Sequence, residues 1–181
     1  NVTSVCGDVT LTLRQAVGDS RTVYLILDYQ LPKTADVEAV EAVMASEEAG
    51  TWFQGPYVEY YATGDVTWQD IQGLTANEAR LRLSGSRFGD LSSSIVQQGF
   101  DPESRTLTCL LTITVSGSRE LTGQPLTLLV EPPALYEDGV ETLLADHPAI
   151  ITFTPDYLQQ ARIYELRDEK GTLRYKVILS P

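Results

Sequence analysis

The side chains able to do chemistry in this chain are few and far apart. His147 is the only imidazole. It stands before Pro148 in a polar stretch with no GxSxG elbow, so any Ser-His or Cys-His mechanism would be assembled around one surface histidine. Carboxylates are abundant, with 25 Asp and Glu residues. Glycoside hydrolysis needs two of them about 5 to 10 Å apart across a cleft. The candidates Asp65, Asp70, Asp101 and Glu103 sit in turn contexts, where Asp organises backbone. Calcium favours loop carboxylates and carbonyls, yet no DxDxDG run occurs, and Glu137-Asp138-Gly139 and Asp65 are weak substitutes. Neither phosphate-loop pattern, GxxxxGK[ST] or GxGxxG, is present. No catalytic residue, metal ligand or cofactor is therefore expected.

Two further groups of residues remain. Cys6 and Cys109 permit one disulfide across a long loop, a link contributing about 4 kcal/mol if formed. The other reading is two free thiols. Cys109 lies on the apolar parity of its strand, and Cys6 is out of register with Val5, Val9, Leu11 and Leu13, which favours free thiols. The stretch Thr51 to Gly73 concentrates Trp52, Phe53, Tyr57, Tyr60, Tyr61 and Trp68. Exposed on a β scaffold, Trp52, Tyr57, Tyr60 and Trp68 would stack on sugar rings or anchor a protein partner. The preferred reading is that these rings fill the gap between a helix and a sheet.

The elements that position these residues are mainly strands. Leu107, Cys109, Leu111, Ile113 and Val115 share one parity, and Thr108, Thr112 and Thr114 take the other. That is a strand with one face in a core and one in water. Val9, Leu11 and Leu13 alternate likewise and pair with Thr22 to Tyr29 through a turn at Val17 to Arg21. TVYLILDY is apolar on both parities, as in a central strand or one that changes environment midway. Further strands are predicted near Tyr57 to Ala62, Ser93 to Gln98, Leu126 to Val130 and Ile150 to Thr154, with a closing hairpin of Ala161 to Arg167 and Thr172 to Leu179. Gly99 to Arg105 and Tyr136 to His147 read as connections.

Asp36 to Glu48 is the clearest helix, with Val37, Val40, Val43 and Met44 at helical spacing. Thr34 or Asp36 is placed to cap it, and Gly50 to end it. Thr75 and Glu78 have capping-box spacing, but Leu81 and Leu83 alternate, so that segment reads as helix or strand. About nine strands at short intervals argue for an antiparallel β-sandwich with one helical insertion, a single domain over 1–181 interrupted at about 34–83.

Composition narrows the partners. The formal net charge of −12 repels phosphate backbones and anionic headgroups, so nucleic-acid and membrane-surface binding are disfavoured. Apolar runs fall far short of the roughly 20 residues needed to span a bilayer, and no signal peptide is visible. The chain begins with Asn1, so it reads as a trimmed piece, and a missing anchor says nothing of its parent. Asn1-Val2-Thr3 matches a glycosylation sequon, a weak indication at an extreme terminus.

Three segments carry a resemblance: VTLTLRQAVGDSRTVYLILDYQLP (Val9 to Pro32), GFDPESRTLTCLLTITVSG with LTGQPLTLLVEPP (Gly99 to Gly117, Leu121 to Pro133), and YKVILSP (Tyr175 to Pro181). Over about half the chain this resembles an extracytoplasmic, immunoglobulin-like domain family of unknown function. Its members occur in single-pass membrane proteins of Gram-positive, Firmicutes-type anaerobes, often encoded beside extracytoplasmic-function sigma factors. The segment Asp36 to Trp68 has no counterpart there. The resemblance implies a cell-surface location, a membrane-anchored parent and a non-catalytic sensing or binding role in an anti-sigma-like regulator. It supplies no site residues. The alternatives are a module binding carbohydrate or cell wall through Trp52, Tyr57, Tyr60 and Trp68, and a glycosidase-like enzyme. The expected partner is accordingly a protein or a cell-wall glycan.

Overall fold

A computed structural model describes residues 1–18, 20–63, 66–86, 91–117, 120–155, 160–167 and 173–180, with side chains through residue 155. The first three strands are β1 (Val2–Cys6), β2 (Val9–Gly18) and β3 (Thr22–Gln30). Then come α1 (Val37–Ala45), β4 (Thr51–Gln54), β5 (Val58–Tyr61), α2 (Trp68–Ile71) and α3 (Ala76–Leu83). The rest is strand: β6 (Leu91–Asp101), β7 (Thr106–Val115), β8 (Leu126–Val130), β9 (Ala134–Glu137), β10 (Val140–Leu143), β11 (Ala149–Phe153), β12 (Gln160–Arg167) and β13 (Leu173–Ser180). Every pairing is antiparallel.

Alternation builds the largest sheet, ordered β1-β2-β3-β7-β6. The predicted parity of β7 is observed, with Leu107, Cys109, Leu111, Ile113 and Val115 all buried. Each row continues onto β3, where Leu25 faces Leu111 and Leu27 faces Cys109. β3 is the central strand its sequence suggests: Val23, Leu25, Leu27 and Tyr29 are buried, and the other parity is half-covered. A bulge between Leu13 and Gln15 breaks the alternation of β2, and Arg14 there pairs with Asp28 at 3.0 Å. β1 is a strand that pattern reading missed. Only Cys6 of its five residues is buried, so it offers no alternation.

Two three-stranded sheets, β11-β8-β5 and β10-β9-β4, complete the β structure beside the β12-β13 hairpin. The alternation predicted for Leu126, Leu128 and Val130 is overridden, because all five β8 residues are buried. Thr127 survives there because its hydroxyl donates to the Thr63 carbonyl and bonds the Thr152 hydroxyl at 2.8 Å. Residues of the five-stranded sheet, of β5, β8 and β11, and of all three helices belong to one hydrophobic core. The chain is mainly β and antiparallel.

The helical insertion is more than one helix. Asp36 caps α1, accepting from Ala39 N at 3.1 Å, and Val40 and Val43 face inward. The helix ends at Ser46 rather than near Gly50, because Ser46 is extended and its hydroxyl accepts from Glu48 N at 3.2 Å. Residues 75–83 resolve to helix. Thr75 caps α3 by accepting from Glu78 N, and Ala79 and Leu83, four apart, are buried while Leu81 is exposed. Between the helices, β4 and β5 join separate sheets, so the 34–83 segment is built into the β structure.

The disulfide is not formed. Cys6 and Cys109 are both free and buried. β1 and β7 lie three strands apart, about 14 Å at roughly 4.8 Å per strand. A disulfide spans at most about 7 Å between Cα atoms. The Cys6 thiol instead donates to the Ile150 carbonyl at 3.3 Å and accepts from Ile150 N at 3.4 Å, tying β1 to β11.

Candidate binding groove

The β10-β9-β4 sheet has two unlike faces. Phe53 and Leu135 are opposite one another on one, with Leu135 in the core and Phe53 packed against it. The other face carries two cross-strand rows. Trp52, Tyr136 and Glu141 form the first, and Gln54, Ala134 and Leu143 the second. Period-two geometry puts all six on one side. Trp52 and Tyr136 stack face to face, with centroids 4.0 Å apart and planes 1° from parallel. The Tyr136 hydroxyl donates to the Glu141 carboxylate, a bond that pushes its own pKa up.

This face floors a cavity of about 340 Å³. Gln54, Ala134, Tyr136, Glu141 and Leu143 line it from the sheet. Tyr57, Thr75, Ala76, Glu131 and Pro132 form one side, and Asp146, His147 and Pro148 another. Glu131 is engaged by Arg80 at 2.5 Å, and the same guanidinium lies 3.1 Å from Glu59. The size suits a small ligand or one or two sugar rings. The lining mixes aromatic faces with hydrogen-bonding edges.

A second cavity of about 550 Å³ shares Thr75, Asp146 and His147 with the first and adds Gly7, Asp8, Trp68 and Gln72. His147 Nδ1 donates to the Pro148 carbonyl at 2.9 Å, and Nε2 faces Asp8 Oδ1 at 2.6 Å. Partial burial pulls the His147 pKa down. The Pro148 hydrogen bond and the Asp8 carboxylate outweigh it, leaving the ring above the ordinary imidazole range. Trp68 leans on the ring, with centroids 5.1 Å apart.

The four candidate aromatics therefore separate. Trp52 and Tyr57 are about half exposed, at 49% and 53%. Tyr57 lines the first cavity and Trp52 backs its Tyr136 wall. Tyr60 is buried in the core, which pushes its phenol pKa up, so it is a packing residue. Trp68 is half-buried and belongs to the second cavity.

Of the acidic candidates, Asp70 caps α2 by accepting from Thr67 N at 2.7 Å, and Asp101 holds the 101–104 turn by accepting from Ser104 Oγ at 2.6 Å. Both carboxyls are thereby held below the usual range. Asp65 lies outside the described residues. Asp138, a calcium candidate by sequence, is a turn residue: Asp138 and Gly139 take φ of 49° and 80° between β9 and β10. The stretch from Tyr136 to His147, expected as a connection, instead contains the end of β9 and all of β10, which supply the groove floor. The Asp138-Gly139 pair between short apolar runs was the available signal for it.

No protein-family profile matches the chain, and neither the curated proteins nor the solved structures yield a match.

Proposed function

We propose that this chain is a non-catalytic binding domain that holds a neutral glycan in the groove floored by Tyr136, Ala134 and Gln54, with Trp52 stacked behind Tyr136. The observation that carries this is the stack of exposed Trp52 on half-buried Tyr136, whose ring lines a cavity with Tyr57 on its side. A sugar ring has an apolar C–H face and a polar rim. The Tyr57 and Tyr136 rings suit the face, and Gln54, Glu141 and Asp146 suit the hydroxyls. Three acidic residues in the lining, Glu131, Glu141 and Asp146, together with a net charge of −12, oppose an anionic ligand. Glu131 is engaged by Arg80 and Glu141 by Tyr136, an arrangement that serves positioning better than proton transfer.

The setting rests on the resemblance. An immunoglobulin-like sandwich, held outside the membrane in an anchored anti-sigma-like regulator, would use the groove to sense wall glycan. The core shared between the five-stranded sheet and β5, β8 and β11 supports the sandwich reading. Co-sedimentation with purified cell-wall glycan tests the binding. Retention of the wild type, weakened at least about 30-fold by Tyr136→Ala or Tyr57→Ala, is the expected result for a residue worth about 2 kcal/mol. Equal retention of wild type and both variants would overturn the reading, as would no retention at all.

A further inference from the structure

We propose that Asp8, Asp146 and His147 form a binding site for a divalent first-row transition ion, with zinc the ion it best suits. Their donor atoms lie within 4.8 Å of one another. The three come from the β1–β2 turn and the approach to β11, brought together although Asp8 and His147 are 139 positions apart in sequence. Oxygen and nitrogen donors on tetrahedral zinc stand about 3.4 Å apart, given bonds of about 2.0–2.1 Å. The aspartates are exposed, so side-chain rotation closes the difference without moving the core.

The orientation of the ring carries the argument. A carbonyl oxygen only accepts, so Nδ1 carries a proton toward Pro148. In the neutral ring that leaves the Nε2 lone pair aimed at the Asp8 carboxylate. A ligating histidine is commonly held this way, with its far N–H on a backbone carbonyl. Lone pair against carboxylate is repulsive, and a cation between the two, a proton on Nε2 or a metal ion, relieves it. A proton leaves the three groups with one net negative charge, because Asp146 also converges. A divalent ion bound by the neutral ring and two carboxylates cancels the charge completely. The imidazole nitrogen favours a transition ion over calcium or magnesium, which prefer oxygen alone.

One neighbour fits this site. Gly7 comes so close that a Cβ there would stand 3.2 Å from His147 Nε2, so the glycine keeps the donor nitrogen clear. The open side of the cluster faces the cavity of about 550 Å³ that Trp68 and Gln72 also line. The inference is independent of glycan binding, because it concerns metal affinity alone.

Calorimetric titration of the tag-free, metal-stripped chain with Zn²⁺, and separately with Ca²⁺, tests it. The expected result is one Zn²⁺ per chain, a raised unfolding temperature on loading, and at least about ten-fold weaker binding in both Asp8→Asn and His147→Ala. Asp8→Asn keeps the side-chain volume at an exposed position, so it decides the matter even where His147→Ala folds poorly. Three results would each overturn the assignment: no Zn²⁺ binding below about 1 mM, equal binding by wild type and Asp8→Asn, or tighter binding of Ca²⁺ than of Zn²⁺.

Discussion

Gly7 and Asp70 show how single residues set local geometry here. Gly7 turns β1 into β2 at φ +63°, with His147 against the position a side chain would occupy. Gly7→Ala combines left-handed strain with that close approach, and should cost about 1–2 kcal/mol. Urea unfolding checks this, and an unchanged midpoint would mean that the turn relaxes freely. Asp70 accepts from Thr67 N and Thr67 Oγ1, which holds its carboxyl below the usual range. A depressed folded-state pKa contributes stability above the unfolded value of about 3.9, and that stability is lost as pH falls through the folded value. Wild type should therefore melt above Asp70→Asn at pH 6, with the gap closing toward pH 2. A gap that persists at pH 2 would assign the effect to something other than the carboxylate. At this scale the sequence was partly legible. Asp36 and Thr75 announced their caps by type and spacing. Asp8 and His147 could not announce each other, because their pairing depends on how β1 and β11 meet.

At the scale of elements, alternation was a reliable guide where one face meets water and a poor one where both faces are covered. β7 reads directly from its sequence, since its threonines face outward between buried apolar residues. β8 does not, because its Leu129 and Thr127 are buried as fully as Leu128. Thr127 is the test of that second covered face. Thr127→Val removes the donor to the Thr63 carbonyl and the partner of Thr152 while keeping the shape, and should cost about 1–3 kcal/mol by leaving those groups unpaired. Thr127→Ser should recover part of the loss. Equal stability of the valine variant and the wild type would show that neither bond contributes. β9 and β10 were hidden for a different reason: each has four residues, too few for a period to declare itself. Their Asp138-Gly139 turn was a stronger signal than their side-chain pattern. That hairpin places Tyr136 and Glu141 beside Trp52 on one sheet face, and Tyr57 on the side of the same cavity.

For the whole molecule, a single core joins the helices to the sheets, so loosening it at one point should release distant groups together. Cys109 is a built-in reporter. Burial pushes its thiol pKa up to about 12, so it reacts only when the core opens. Leu25→Ala, at a fully buried position on the neighbouring strand, should cost about 2–5 kcal/mol and speed Cys109 labelling in proportion. Labelling of Cys109 at the wild-type rate in that destabilised variant would show that the core opens in separate pieces. Through Leu135 and Phe53 the same core holds the β10-β9-β4 sheet, whose outer face floors the groove of the proposed site. Its central claim is most directly tested by mapping amide shifts of the labelled chain as soluble cell-wall glycan fragments are added. The account predicts saturable shifts confined to Trp52, Gln54, Tyr57, Tyr136, Glu141 and their neighbours, with Tyr60 and the β6 edge unmoved. Shifts elsewhere on the surface, or none at millimolar fragment, would contradict it.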